Sequence, residues 1–522
     1  MEILTIKDAS KLLEVDTKTI YRLVERGELP AFKVGRQWRM RLSDINAWID
    51  DQLRAREVSG PYRLRQSVLI PEQASEPRPA GKAGRGFSDS AFSENADLPI
   101  HRWVPWIAGF SATFVSEALD RYLPDSPHPG DVCVLDPFAG VGTTLITALL
   151  RGHSSYGFEI NPYAAEACEL KANIQAIPVD ELALCIDQFR RSLDNGVKAG
   201  KEPLSISPQG FRTRTPFLSP LVERKVLLVQ DFITELTPPL VRKCFRLALA
   251  SELVGFSNYS YEPSLGTRAA AGKQDVQDAP VISTVVRKLR LMLRDIRSTQ
   301  QRLRDQDIAA KVRFCCGDFF RLESSVPDST VDLVVTSPPY LNNYHYIRNS
   351  RPQVYWLGFA QSPGDLKEIE QGSFGKFWQT VRAQGPIDLI FPMRPLEDAI
   401  QSLRRINVDR GPYGGPGWAN YAATYFNDCY RFAQVLARIL KPRGKAVVVL
   451  GNSILQGVEF KTDTVFGDIC QACGLHLEDI ELLRKKRTGT SIINSSVRAN
   501  SAPKKARLYE SAVVVTNTRS SA

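Results

Sequence analysis

The 522-residue chain has no run of eighteen or more apolar residues, so no transmembrane helix is expected. Its opening stretch, MEILTIKDASKLLEVD, is polar and periodic and lacks the pattern of a signal peptide. Nine cysteines, odd in number and scattered, exclude a disulfide framework as the organising device. Cys470 and Cys473 form a lone C-x-x-C with no second pair and few histidines nearby, so both read as buried or partly buried thiols and no metal site is expected. No Gly-Lys-Ser/Thr follows a glycine loop, and no G-x-G-x-x-G is present, which sets aside the P-loop and the dinucleotide fingerprint. What remains is a soluble, cytoplasmic protein of two or three domains, since the length exceeds one ordinary domain and the 43% hydrophobic content can bury large cores.

Positive charge is in excess: the net charge is +10, which weakly favours an anionic partner. Its placement is more telling. Arg484 to Arg507 carries eight Lys/Arg and no acid, and Lys33 to Arg41 carries four and no acid. Such runs can neutralise phosphates, or be solvated faces.

Residues 1–53 read as a small module. Thr5 can cap a helix over Ile6 to Leu13, and Asp16 or Thr17 a second over Thr19 to Glu25. Gly27 ends it, AFKVGRQWRMR makes a hairpin turning at Gly35-Arg36, and Ser43 caps a last helix from Asp44 to Leu53. Two short helices and a basic wing are the parts of a winged helix-turn-helix. The stretches LTIKDASKLLEV, TIYRLVERGELPAFKVG and RQWRMRLSDINAWI resemble the excisionase-like branch of MerR-type DNA-binding domains. The resemblance implies DNA contacts from Thr17, Lys18, Thr19 and Arg22 on the recognition helix and from Arg36, Arg39 and Arg41 on the wing. Acids and bases balance over the whole module, so the DNA reading rests on the wing, with protein binding as the alternative. Residues 54–97, rich in Pro, Gly, Ser and charge, read as a flexible linker.

From Asp131 the pattern is strand (DVCVLD), glycine loop (PFAGVGTT), helix (LITALLRG) and strand (SSYGFEI), followed later by the strand-like KVRFCCGD, VDLVVTSPPY and KAVVVLGNS. Alternating strands and helices predict a doubly wound, mostly parallel α/β sheet, with its ligand beyond the strands' carboxyl ends. Residues 177–310 are too long for a crossover and read as an inserted helical subdomain with a basic helix over Val286 to Arg304. A second irregular stretch, about 362–420, contains the glycine-rich RGPYGGPGW.

Three successive strand ends carry chemistry. In DPFAGVGTT, Gly140 and Gly142 allow close backbone approach at a helix N-terminus. Glu159 ends the next strand, where an acid can accept hydrogen bonds from ribose hydroxyls, and Asp318 ends the one after, where it could hold an adenine amine. The fourth strand end is Thr-Ser-Pro-Pro-Tyr, a rigid corner that no ladder can continue through.

These pieces resemble the amino-group DNA methyltransferases that use S-adenosylmethionine. DPFAGVGTT resembles motif I, FEINP motif II, Gly317-Asp318 motif III, TSPPY motif IV, and HRWVPWIAGFSATFVSEAL motif X; LKPRGKAVVVLGNS and RLYESAVVV resemble later strands of the same sheet. The resemblance covers about 98–176 and 311–516, within a catalytic domain expected over 98–176 and 311–518. It implies a Rossmann-like class I methyltransferase fold, with cofactor contacts from Asp136, Phe138, Gly140, Gly142, Thr143, Thr144, Glu159, Asp318, Trp106 and Phe110. It implies too that Ser337 and the Pro338 carbonyl, braced by Pro339, accept hydrogens from the target amine, while Tyr340 stacks on a flipped base. Asn342, Asn343, Tyr344 and His345 could edge the base pocket.

Methylation at cytosine C5 needs a thiolate that the corresponding family carries after a proline, and no cysteine here follows one. Ser rather than Asp at 337 goes mostly with cytosine N4 in the resembled family, with adenine N6 as the alternative. RNA methylation and a DNA-binding regulator with a degenerate methylase domain are the remaining readings. The expected partners are double-stranded DNA, which would place the protein at the nucleoid, and a cognate restriction endonuclease. The order X, I, II, III, IV excludes a catalytic-motif-first arrangement. By its length, its basic helix and its Ser257-Asn258-Tyr259 loop, 177–310 is the candidate target-recognition region; the alternative is a helical buttress for the sheet.

Overall fold

The computed structural model describes residues 3–12, 29–34, 37–41, 92–106, 111–123, 132–261, 265–341, 346–486 and 508–519, and the single positions 17, 20, 24, 45, 87 and 109. Contacts divide the chain into two units, Met1–Glu72 and Gln73–Ala522.

In the first unit, β1 (Ile3–Thr5) leads into α1 (Ile6–Leu12), and β2 (Phe32–Val34) pairs with β3 (Gln37–Arg41). Thr5 and Asp8 cap α1 reciprocally: the Asp8 amide donates to Thr5 Oγ1 at 3.2 Å and the Thr5 amide to Asp8 Oδ2 at 3.0 Å. Val34 pairs with Gln37, and the wing turn expected at Gly35-Arg36 lies outside the described residues. The sequence reading has no β1. It forms because Leu4 lies opposite Met40 on β3, beside a core of Ile6, Ala9, Ile20, Val24, Leu29 and Ile45. Thr17 is helical and exposed, while Arg39 donates to the Trp38 carbonyl at 2.9 Å. Arg41 ends β3. Lys18, Thr19, Arg22 and Arg36 lie outside the described residues, as does most of the last helix expected over 44–53.

The second unit is built on a seven-stranded sheet. Its first half holds α2 (Ala112–Tyr122), β4 (Cys133–Asp136), α3 (Thr143–Leu150), β5 (Ser154–Glu159) and α4 (Pro162–Ala172). The insertion follows: α5 (Val179–Lys198), α6 (Pro220–Glu235), α7 (Pro239–Glu252), a two-stranded ribbon of β6 (Tyr259–Tyr261) and β7 (Leu265–Thr267), and α8 (Val281–Asp305). The sheet resumes with β8 (Val312–Cys316) and β9 (Val331–Thr336). A second excursion carries α9 (Tyr346–Trp356), α10 (Pro363–Gly372) and α11 (Arg394–Arg404), and ends in α12 (Gly415–Ile439). The chain closes with β10 (Leu440–Gly451), the small hairpin β11 (Ser453–Leu455) and β12 (Val458–Phe460), α13 (Thr462–Ala472), β13 (Leu475–Lys486) and β14 (Leu508–Asn517).

Strand order is β13-β14-β10-β9-β4-β5-β8. β4 pairs parallel with β5 and β9, β5 with β8, and β9 with β10, whereas β14 runs antiparallel between β10 and β13. The middles of the central strands β4, β9 and β10 are mostly apolar because both faces are covered. Val334, Val448 and Val513 enter the core beneath α12, while Leu333, Val447 and Val514 enter the core beneath α2. Strand order reverses between β4 and β9, so the crevice for a ligand opens there.

The insertion packs as a buttress. Asp295 on α8, 2% exposed, accepts from the Ile100 amide at 3.0 Å, Arg102 Nε at 3.1 Å and Trp103 Nε1 at 3.0 Å. Gln300 donates to the carbonyls of Ile174 and Ile177 at 2.8 and 2.9 Å. Arg246 on α7 forks onto Glu166 of α4 at 2.7 and 3.0 Å. The unit also starts earlier than the expected Leu98. Phe87 packs on Phe114 with centroids 4.7 Å apart, and Asn95 accepts the Ala112 amide at 2.9 Å, because α2 would otherwise leave an apolar face and an amide unpartnered.

Candidate active site

A cleft of about 1290 Å³, counting space open to solvent, lies over the carboxyl ends of β4, β5, β8 and β9. Its floor is the loop after β4. Gly142 has φ 86°, and a Cβ there would fall 3.0 Å from Cys168 Sγ, so the turn admits only glycine comfortably. The same helix, α4, sends up Lys171, which is 1% exposed and donates to the Val141 carbonyl at 2.9 Å. Burial pulls the Lys171 ammonium down to about 7. Nothing in the local spacing marks this lysine as the prop of the glycine loop.

Asp136 lies beneath the loop. Its Oδ1 accepts from Thr336 Oγ1 at 2.6 Å and from the Phe138 amide at 3.1 Å, so one carboxylate ties the end of β4 to the end of β9. Burial raises it to about 6, against these hydrogen bonds. Thr144, also buried, donates to the Val335 carbonyl at 3.1 Å. Asp136, Gly142 and Thr144 therefore shape the floor from below and are not among the residues that line the cleft, whereas Phe138, Gly140 and Thr143 are.

Glu159, at the end of β5, lines the cleft and accepts the Gly140 amide at 2.8 Å and the Asn161 amide at 2.7 Å, one on each oxygen. Burial drives its pKa up to about 7, opposed by those two amides and assisted by the charge of Asp136. Asp318 also lines the cleft and caps the turn after β8 by accepting the Phe320 amide at 2.9 Å. Trp106 closes the side, stacked on Tyr346 at 6.3 Å. Phe110, Asn342, Asn343, Tyr344 and His345 lie outside the described residues.

The opposite wall is the corner after β9. Ser337, Pro339 and Tyr340 line the cleft, and Pro338 is buried. The Ser337 hydroxyl donates to Tyr340 Oη at 3.3 Å, which leaves the Ser337 oxygen lone pairs as acceptors. Burial first, and the charge of Glu510 next, hold the Tyr340 phenol well above its ordinary pKa, so it stays neutral. Sequence reasoning missed the last wall, formed by Glu370, Gly372–Phe377, Tyr421 and Tyr425. Its only signal was a glycine-containing irregular run. Among the described residues, no lining residue comes from 177–310.

Six parallel strands with one reversed strand next to the edge, and a glycine loop and two strand-end acids around one cleft, define a class I methyltransferase module. Residues 75–170 match the DNA methylase family of N6/N4 type, and residues 3–53 match a helix-turn-helix domain family. Residues 75–170 thus carry the signature of N6/N4-type DNA methylases, and residues 3–53 that of a helix-turn-helix domain. It is 22% identical to Type II methyltransferase M.BsoBI of Geobacillus stearothermophilus, over 77% of this chain and 83% of that protein. It is 21% identical to Type II methyltransferase M.AvaI of Anabaena variabilis, over 75% and 82%. Among solved structures, the rRNA methyltransferase aviRa from Streptomyces viridochromogenes aligns at 12% identity over 82% of this chain and 93% of its own, with a TM-score of 0.28. That likeness is too loose to bear on fold or function.

Proposed function

We propose that the protein transfers a methyl group from S-adenosylmethionine to an exocyclic amine of double-stranded DNA, to cytosine N4 in preference to adenine N6. The observation that carries this reading is the pairing, in one cleft, of the Ser337–Tyr340 corner with the acids Glu159 and Asp318.

The residues present fit the cofactor. Glu159 would accept from ribose hydroxyls and Asp318 from an adenine amine, both lining the cleft, and a Cβ at Gly140 would fall 3.3 Å from Trp106 Nε1, so the loop lies directly against that indole. When bound, S-adenosylmethionine supplies an electrophilic methyl group. An exocyclic amine is a poor nucleophile because its lone pair is delocalised into the ring. The Ser337 oxygen and the Pro338 carbonyl hold its hydrogens and draw the lone pair out of conjugation. Two successive prolines fix that carbonyl, since neither can rotate about φ. Tyr340 offers a neutral ring on which a flipped base can stack.

The base preference rests on Ser337. The experiment is nucleoside mass spectrometry of duplex DNA incubated with protein and S-adenosylmethionine: N4-methylcytosine is expected. N6-methyladenine as the product would overturn the base choice, and absence of cofactor binding would overturn the reading as a whole.

The names of the relatives support a place in a restriction-modification system, with a cognate endonuclease sharing the site. The helix-turn-helix module adds DNA affinity. Deleting residues 1–60 is expected to leave cofactor binding intact and to weaken DNA binding; equal affinity and specificity in the truncated protein would remove it from recognition.

A further inference from the structure

The cleft wall at Phe377 continues directly into a stack of aromatic residues around one arginine. Arg382 follows the short helix Trp378–Val381, and its guanidinium carbon lies 4.4 Å from the Trp378 ring centroid and 4.3 Å from that of Tyr413. The two rings meet edge to face at 5.8 Å, so the guanidinium sits in the corner they form. Trp378 is backed by Trp418, stacked at 4.9 Å, and Trp418 touches Tyr421, which lines the cleft.

The platform is held from below. Asn420 donates to the carbonyls of Gln384 and Gly385 at 3.0 and 3.1 Å, fixing the turn after Arg382. The glycine-rich run 410–418 finds its purpose here. A Cβ on Gly417 would meet the Pro412 carbonyl oxygen at 2.0 Å and Arg382 Cβ at 3.1 Å, so only glycine lets the loop bring Tyr413 onto the guanidinium. Tyr413 is 56% exposed and Arg382 half-buried. No carboxylate among the described residues pairs with Arg382.

Two rings 68° apart cannot both lie against the guanidinium's faces, but contact with both pins it in one place, and no carboxylate among the described residues takes up its N–H donors. Attraction to a phosphate needs no fixed plane, and the exposed arginines elsewhere would serve it. A fixed planar fork beside a pocket for a flipped base suits a planar pair of acceptors, and in the DNA major groove that pair is guanine O6 and N7. We propose that Arg382 reads one guanine of the recognition sequence next to the target base. The assignment rests on the DNA-methyltransferase reading above.

The test uses the full-length protein, a pool of duplexes randomised around the site, and sequencing of the methylated positions. Wild type is expected to require guanine at one position. R382A is expected to lose roughly 10- to 100-fold in discrimination there while keeping the other positions and its cofactor affinity. R382K, which keeps the charge without the fork, is expected to restore no discrimination and guards against misfolding of the alanine variant. An unaltered sequence pattern in both variants overturns the assignment. So does a uniform loss across all sequences with a shallower salt dependence, the mark of a phosphate contact. Wild-type protein with no transfer to DNA overturns the underlying reading, and this assignment with it.

Discussion

Two excursions interrupt the same sheet, and they do opposite things. The first, 177–310, is the longer and carries the basic helix α8, with Arg287, Arg290, Arg294 and Arg297 on its exposed side. Yet its polar contacts point inward, to Ile100, Arg102, Trp103, Ile174 and Glu166, and none of its described residues lines the cleft. The second, between β9 and β10, has fewer basic runs and more glycine, and it supplies a whole wall of the cleft through Glu370 to Phe377, Tyr421 and Tyr425. Length and charge do not tell the two apart. The point of departure does: the first follows the helix α4, and the second leaves the carboxyl end of β9 where strand order reverses.

The largest effect that sharpens this contrast is expected at the corner itself. Ser337→Ala should lower the transfer rate by about 10²- to 10³-fold, as loss of one positioned acceptor does in comparable sites, with the melting temperature unchanged. Retained turnover would take Ser337 out of the chemistry.

In the first excursion the loss should fall on stability instead. Asp295→Ala strands Arg102 and the Trp103 indole without their shared acceptor. It should cost about 2–4 kcal/mol in denaturant unfolding, since removing one partner of a buried pair costs somewhat more and Arg102 is partly solvated. A variant as stable as wild type would break the assignment of α8 as a buttress.

Smaller, and diagnostic in its pH dependence, is Glu159→Gln. Burial has raised the folded-state pKa of Glu159 to about 7, so the acid form prevails below that pH and the carboxylate above it. Ribose hydroxyls donate to the carboxylate, so cofactor affinity should rise with pH through about 7. The glutamine variant should bind roughly 10-fold more weakly at pH 8, in line with loss of a charge-assisted hydrogen bond, and show a flat profile. The sign for stability is opposite. The folded protein holds a proton that the unfolded chain loses near 4.5, so this group's contribution declines as pH rises from there towards 7. Calorimetric titration at several pH values reads the first effect, and an affinity independent of pH in the wild type would refute it.

The smallest effect is expected from Arg287→Gln, Arg294→Gln and Arg297→Gln combined. A buttress whose arginines face solvent should leave DNA affinity within about threefold at physiological salt, where screening reaches roughly 8 Å. A steep loss would return target recognition to the first excursion.

Much of the fold was legible because its signals are local. DVCVLD, SSYGFEI and VDLVVT are short apolar runs that stop on a glycine loop, an acid and a proline corner, and the structure makes each a parallel strand of the sheet. The small strand β1 was not legible, because three residues become a strand only when Met40 and its neighbours arrive beside them. Within the cleft, Phe138, Gly140, Thr143, Glu159, Asp318 and Trp106 could be picked out from their positions at strand ends and in motif X. Lys171 could not, since its role depends on a carbonyl thirty residues away being turned towards it.

The sequence by itself determined the strand ends and the residues placed on them, because a parallel strand buried on both faces must be apolar and must stop at a turn residue. Only the tertiary structure decided which excursion closes over the cleft and which braces the sheet. The reason is that the composition of neither segment says where on the sheet it will pack. Burial against α4, or suspension over β9, is settled by which strands lie side by side, and strand order is a property of the assembled sheet and of no single stretch of chain.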